Sequence, residues 1–112
     1  MNLPWIQYGR DFGSSDGISR GANRARLRED LSELSSRGLR IVRWFVFSDG
    51  REGLTLGSRG RVAGLSDGFL EDFRVSLEEA LANSVALMPC LLDFLWFADK
   101  PFPSLTPLIE AP

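Results

Sequence analysis

The sequence predicts an α/β protein built on parallel strands, and two observations carry that expectation. Apolar segments of strand length alternate with amphipathic segments of helix length, in the order strand, helix, strand, helix, strand. The middle strand, in "GLRIVRWFVF", is rich in β-branched and aromatic residues and apolar on both faces, as a parallel strand covered on both sides reads. Such alternation favours right-handed βαβ units.

The first strand is expected at residues 5–8, ahead of a Gly- and Ser-rich loop at 9–21. Asn23 can cap a helix reaching to about residue 37, with Leu27, Leu31 and Leu34 on one face and Gly38 as its stop. Arg24, Arg26 and Arg28 oppose the dipole at the start of that helix. The second strand spans 39–47. Residues 48–66 read as a long loop carrying Gly50, Gly53, Gly57, Gly60 and Gly64. Asp67 can cap a second helix over 67–83, with Leu70, Phe73, Leu77 and Leu81 as its buried stripe. The third strand is 85–92, and Pro89 is a flaw in it because proline cannot donate to a ladder. Past Trp96 the chain is loop-like, with prolines at 101, 103, 107 and 112.

Composition narrows the function classes. The 112 residues form one domain, 44% hydrophobic and 25% charged, with a net charge of -2. The positive charges are scattered, so no stripe grips a phosphate backbone and nucleic-acid binding is not expected. One cysteine, Cys90, excludes an internal disulfide and a cysteine metal cluster. The absence of histidine excludes histidine triads and histidine zinc sites. No cofactor or metal is expected. No run approaches a membrane span and the N-terminus has no leader pattern, so the chain reads as soluble, its compartment open. The glycines of the 48–66 loop form neither a GxGxxG nor a P-loop. Ser-Asp-Gly recurs at 15–17, 48–50 and 66–68, but the unequal spacing suits turns rather than a repeat. Adjacent Glu78 and Glu79 fall on the polar face of their helix and read as solvated charge.

The most informative residue is Arg43, a charge inside an apolar run. Strand alternation puts Ile41, Arg43, Phe45 and Phe47 on one face and Val42, Trp44 and Val46 on the other. A buried guanidinium needs a partner. Asp93, in "PCLLDFLW", ends the next strand and is the first candidate; Asp11, in "YGRDFG", is the second. Ligands of parallel α/β folds bind at the C-terminal ends of strands, where Asp11, Arg43, Asp49, Asp93 and Trp96 are placed as a site would be. An internal Arg43–Asp93 ion pair that fixes strand order is the alternative.

These residues carry a resemblance. "YGRDFG" after strand one, "GLRIVRWFVFSDGREGL" through strand two and "ALMPCLLDFLW" at strand three resemble the opening third of a clan-A glycoside hydrolase barrel. The cellulase- and mannanase-like members related to family 5 are the nearest in pattern. The resemblance spans about residues 5 to 97 and implies a partial (β/α) barrel of about three parallel strands and two or three helices. It also implies that Arg43 lies under a substrate-binding subsite, with Asp11, Asp93 and Trp96 as neighbours or sugar contacts.

The chain departs from the pattern at Leu95, where relatives often carry a histidine. It also lacks counterparts of the family's two catalytic glutamates, since Glu110 in "LIEAP" follows no strand and no asparagine. The expectation is therefore a polysaccharide-processing barrel piece, inactive alone, whose partner is a polysaccharide or oligosaccharide. A complete barrel takes roughly 200 residues or more, so a few parallel strands leave open edges and an apolar face. The competing expectation is a small α/β fold, rearranged and completed as a homo-oligomer, that acts as a structural or binding module with no sugar chemistry.

Overall fold

The computed structural model describes residues 6–47 and 52–92. Chain order is α1 (Gly21–Ser36), β1 (Ile41–Phe45), β2 (Leu54–Leu56), a 3₁₀ turn (Ser58–Gly60), β3 (Val62–Leu65), α2 (Phe69–Ala82) and β4 (Ala86–Cys90). β1 and β4 pair in parallel, with Ile41 opposite Ala86 and Phe45 opposite Cys90. α2 is the crossover between them, so the expected βαβ unit is present.

Two strand expectations change. Trp5 lies outside the described residues, and 6–8 form a bend and turn rather than a strand, so the described parallel sheet has two strands. The reason is local: the backbone N–H groups of Ile6 and Gln7 donate to the Asp11 carboxylate, each at 2.7 Å, which closes a turn instead of feeding a ladder. The 48–66 loop is also more ordered than its glycines suggest, for it contains the antiparallel hairpin β2–β3. Leu54 and Leu56 face Leu65 and Val62 across it, and a bulge absorbs the extra residue. Strands of three and four residues are too short to show alternation in a sequence.

Each helix ends in a Schellman turn. Leu39 N–H donates to the Leu34 carbonyl and Gly38 N–H to that of Ser35, with Gly38 at φ +84°. α2 repeats the motif, with Val85 bonded to Ala80, Ser84 bonded to Leu81, and Ser84 in the left-handed position at φ +57°. The helix starts differ from expectation. Arg20 and Gly68 occupy the N-cap positions and neither caps with a side chain. Asn23 lies inside α1, where its amide donates to the Asp16 carbonyl.

The core lies between the helices and one face of β1. Val42, Trp44 and Val46 are buried there with Leu27, Leu31, Ile18, Phe12 and Phe69. Phe12 packs on Trp44 at 5.2 Å between ring centroids, and Phe47 stacks on Phe69 at 5.4 Å. The other face of β1 is open, so the expectation of a strand covered on both sides holds for one side only. The expected stripe of α2 holds only at Phe73, which packs against the core. Leu70, Leu77 and Leu81 are exposed, while Phe69, Asp72, Val75, Ser76, Glu79 and Ala80 are buried. Among the described residues no helix is long and apolar enough to cross a membrane.

Candidate functional site

The site-bearing end of a parallel sheet is the C-terminal end of its strands, where the βα loops gather. Here that end is built by the loop at 6–20, the hairpin and the N-terminus of α2. Two buried carboxylates hold it, Asp11 and Asp72, and a third, Glu79, ties the helices together. Asp11 is 1% exposed, and its carboxylate accepts from Ile6, Gln7 and the Trp44 indole Nε1, the last at 2.9 Å. Burial pushes its carboxyl up from the usual range, and the three N–H donors pull the other way.

Asp72, 2% exposed on α2, accepts from Gly13 N–H at 2.7 Å and from the Ser19 hydroxyl at 2.5 Å. The Ser66 hydroxyl donates to the Gly13 carbonyl at 3.0 Å, and a Cβ on Gly13 would sit 2.1 Å from that hydroxyl oxygen. Only glycine fits there, at φ +80°. A polar cleft beside this knot is lined by Ser14, Ser19, Arg20, Gly68, Glu71 and Asp72.

The third anchor joins the helices. Glu79 is 4% exposed and accepts from Arg28 Nη2 and from Arg24 Nε, each at 2.8 Å. Arg28, then Arg24, hold its carboxyl well below the carboxylate range, at about 2, against the burial that raises it. The reading of Glu79 as solvated charge is therefore corrected, whereas Glu78 is exposed and pairs with Arg74 and Arg24. Of the three arginines that oppose the α1 dipole, Arg24 and Arg28 meet Glu79. Their i, i+4 spacing was the available signal; only packing supplied the partner. Asp72 had a fainter one, a carboxylate on the same helix face as Phe69 and Ser76.

Arg43 is exposed, not buried. It leaves β1 on the open face, where its Nη2 donates to the Cys90 sulfur at 3.7 Å and its guanidinium lies 4.9 Å from the Phe45 ring centre. Asp11 sits on the opposite, helix-covered side with Trp44, so the structure does not bring Arg43 and Asp11 together. With its three acceptor bonds directed inward, Asp11 holds the 6–11 turn. The expectation that Arg43 is buried is corrected by its exposure, and its proposed pairing with Asp93 lies outside the described residues. Asp49, Asp93 and Trp96 lie outside the described residues. Trp44 is core, 1% exposed, and is no sugar platform.

Pro89 is explained by the ladder. Ala86 N–H donates to the Arg40 carbonyl and Val46 N–H to the Cys90 carbonyl, so alternate β4 residues 86, 88 and 90 face β1. Leu87 and Pro89 face the outer edge, and the missing proline donor costs the β1–β4 ladder nothing. Among the described residues no group of three or more Cys, Asp or Glu is placed to hold a metal ion.

No protein-family model and no curated protein matches the chain. Solved structures do. The β-mannanase of the blue mussel Mytilus edulis superposes with a TM-score of 0.70 at 26% identity, over 79% of this chain and 24% of that one. The β-1,4-D-mannanase of Cryptopygus antarcticus gives 0.70 at 22% identity, over 91% and 30%. The endo-1,4-β-mannanase of Eisenia fetida gives 0.68 at 22%, over 91% and 32%. The chain thus spans about a quarter to a third of the length of these enzymes. Its βαβ core with helices on one face, and this likeness over most of its length, make it a partial (β/α) barrel similar to the opening part of clan-A, family 5-like β-mannanases.

Proposed function

We propose that the chain carries part of the substrate-binding side of a polysaccharide-processing glycoside hydrolase and does not hydrolyse glycosides by itself. The observation that carries this reading is the placement of Arg43. It stands on the strand face turned away from the helices, which in a barrel is the inner face, and its guanidinium is open to a ligand. The likeness to mannanases supports a mannan-type polysaccharide as that ligand. Asp49, Asp93 and Trp96 complete the proposed subsite, a reading supported by their positions just past the two strand segments in the sequence. Inactivity follows from the requirement for two carboxylates about 5 Å apart across the bond. The buried Asp11, Asp72 and Glu79 are each consumed by N–H or O–H donors and cannot supply that pair.

The test is titration of the chain with mannohexaose by calorimetry, beside Arg43→Ala. Binding that is lost in the variant, with no sugar released over a day, is expected. Binding that is equal in both, or hydrolysis that survives purification, overturns the reading.

A second reading, self-association as a homo-oligomer with no sugar role, is favoured by one observation. Ile41 and Met88 are exposed on the open side of the sheet. Light scattering decides it: a concentration-independent monomer mass removes this reading.

A further inference from the structure

The β2–β3 hairpin carries positive charge that nothing in the described protein answers. Residues 53–66 hold two basic side chains, Arg59 and Arg61, and no acid, in a chain whose net charge is -2. Arg10, Arg24, Arg26, Arg28, Arg37 and Arg74 each pair with a carboxylate. Arg59 and Arg61 are exposed and have no such partner among the described residues. Glu52 and Asp67 bracket the hairpin in the chain but belong to neither strand. The backbone adds a second observation. Arg59 sits in the left-handed region at φ +59°, ψ +25°, which is unfavourable for any residue with a Cβ. Glycine suits that position, and no contact inside the protein repays the arginine for occupying it. A charge kept in a strained backbone position at an exposed tip is placed to meet something outside the chain.

The hairpin's base is fixed and its tip projects. Ser66 N–H donates to the Gly53 carbonyl at 2.9 Å, and the Ser66 hydroxyl donates to the Gly13 carbonyl at 3.0 Å. Gly53 lies so close to the Phe47 ring that a Cβ would meet it at 2.9 Å, which seats the base just past the end of β1. Gly57 N–H donates to the Arg61 carbonyl at 2.7 Å and closes the tip. At about 3.3 Å per residue, the strands carry that tip roughly 10 Å beyond the base. We propose that the tip binds the carboxylates of an acidic polysaccharide, a β-1,4-linked chain bearing uronate groups, through Arg59 and Arg61. The proposal rests on the reading of the Arg43 end as a polysaccharide site and names the class of polysaccharide. The planar fork of a guanidinium matches the two oxygens of a carboxylate. Two cations release too few counterions to hold a nucleic-acid backbone. They also fall short of the clusters of roughly four to eight that anionic lipids select.

The test compares mannohexaose with β-1,4-linked hexamannuronate, which has the same backbone with a carboxylate at each C6. Both are titrated by calorimetry into the full chain and into the double variant Arg59→Gly with Arg61→Gln. Both side chains are exposed and glycine suits the backbone at 59, so the variant keeps its fold, which circular dichroism confirms. Hexamannuronate is expected to bind the parent about tenfold tighter than mannohexaose at low salt, and high salt to erase the difference. The variant is expected to lose that preference and to bind mannohexaose as the parent does. Equal affinity of the parent for the two sugars, a preference that survives in the variant, or no binding of hexamannuronate overturns the proposal. Tighter binding to phosphatidylserine vesicles than to hexamannuronate, lost in the variant, makes a lipid surface the ligand and overturns it as well. Arg43→Ala reports on the sugar reading separately. If mannohexaose binds neither protein while hexamannuronate still binds through Arg59 and Arg61, the Arg43 reading falls and the hairpin proposal stands. Mannohexaose binding that depends on Arg43, with no preference for hexamannuronate, gives the reverse.

Discussion

Replacing Glu79 by glutamine removes the charge that ties α2 to α1 while keeping the side chain's shape. The folded carboxyl sits at about 2, against 4.5 for the free group. At about 1.4 kcal/mol per unit, the full linkage is on the order of 3 kcal/mol. Arg24 and Arg28 are partly in water, 34% and 59% exposed, so screening reduces the working value to about 1–2 kcal/mol. For the same reason neither arginine is stranded in the variant, and the larger penalty of a broken buried pair does not apply. The expected loss at pH 7 is thus about 4–10 °C in Tm for a domain of this size.

The pH dependence gives the sharper check. A folded pKa below the unfolded one stabilises above about pH 4.5, and that contribution drains away as pH falls toward 2. Thermal unfolding of both proteins followed by circular dichroism at pH 7, 4.5 and 3 should show the gap shrinking at the lowest value. A gap that stays constant to pH 3, or is missing at pH 7, refutes the argument that Glu79 is an ionised link between the helices.

Other outcomes follow from single positions. Ser84→Gly should raise stability by about 0.5–1 kcal/mol, because serine holds the left-handed turn at φ +57°; an unchanged denaturant midpoint counts against that strain. Gly17→Ala should destabilise by at least about 1–3 kcal/mol, since its Cβ would lie 2.1 Å from the bound Asp72 carboxylate; a melting curve that overlays the parent's would show that the 13–19 loop shifts freely. Arg43→Met should change stability by less than about 0.5 kcal/mol, as expected of an exposed side chain, and a loss of several kcal/mol in urea unfolding would restore a buried ion pair.

The sequence by itself determined the α/β class, both helices and the two strands β1 and β4, because apolar period and turn chemistry are local. Leu27 and Leu31 mark a helix face, Gly38 marks its end, and the run at 41–47 marks a strand whatever surrounds it. The motifs around Arg43 and Asp11 were equally legible, and they pointed to the barrel likeness that the solved structures bear out. Only the tertiary structure decided who faces whom. Asp11 closes its own turn against Trp44, Asp72 ties Gly13 and Ser19 to α2, and Glu79 collects two arginines from α1. Each of these pairings joins residues far apart in the chain or turns on a choice between competing donors, which periodicity does not encode. Burial itself was the least legible. A leucine stripe states which residues favour an apolar neighbour, but whether Leu70, Leu77 and Leu81 meet one depends on which elements are packed beside α2.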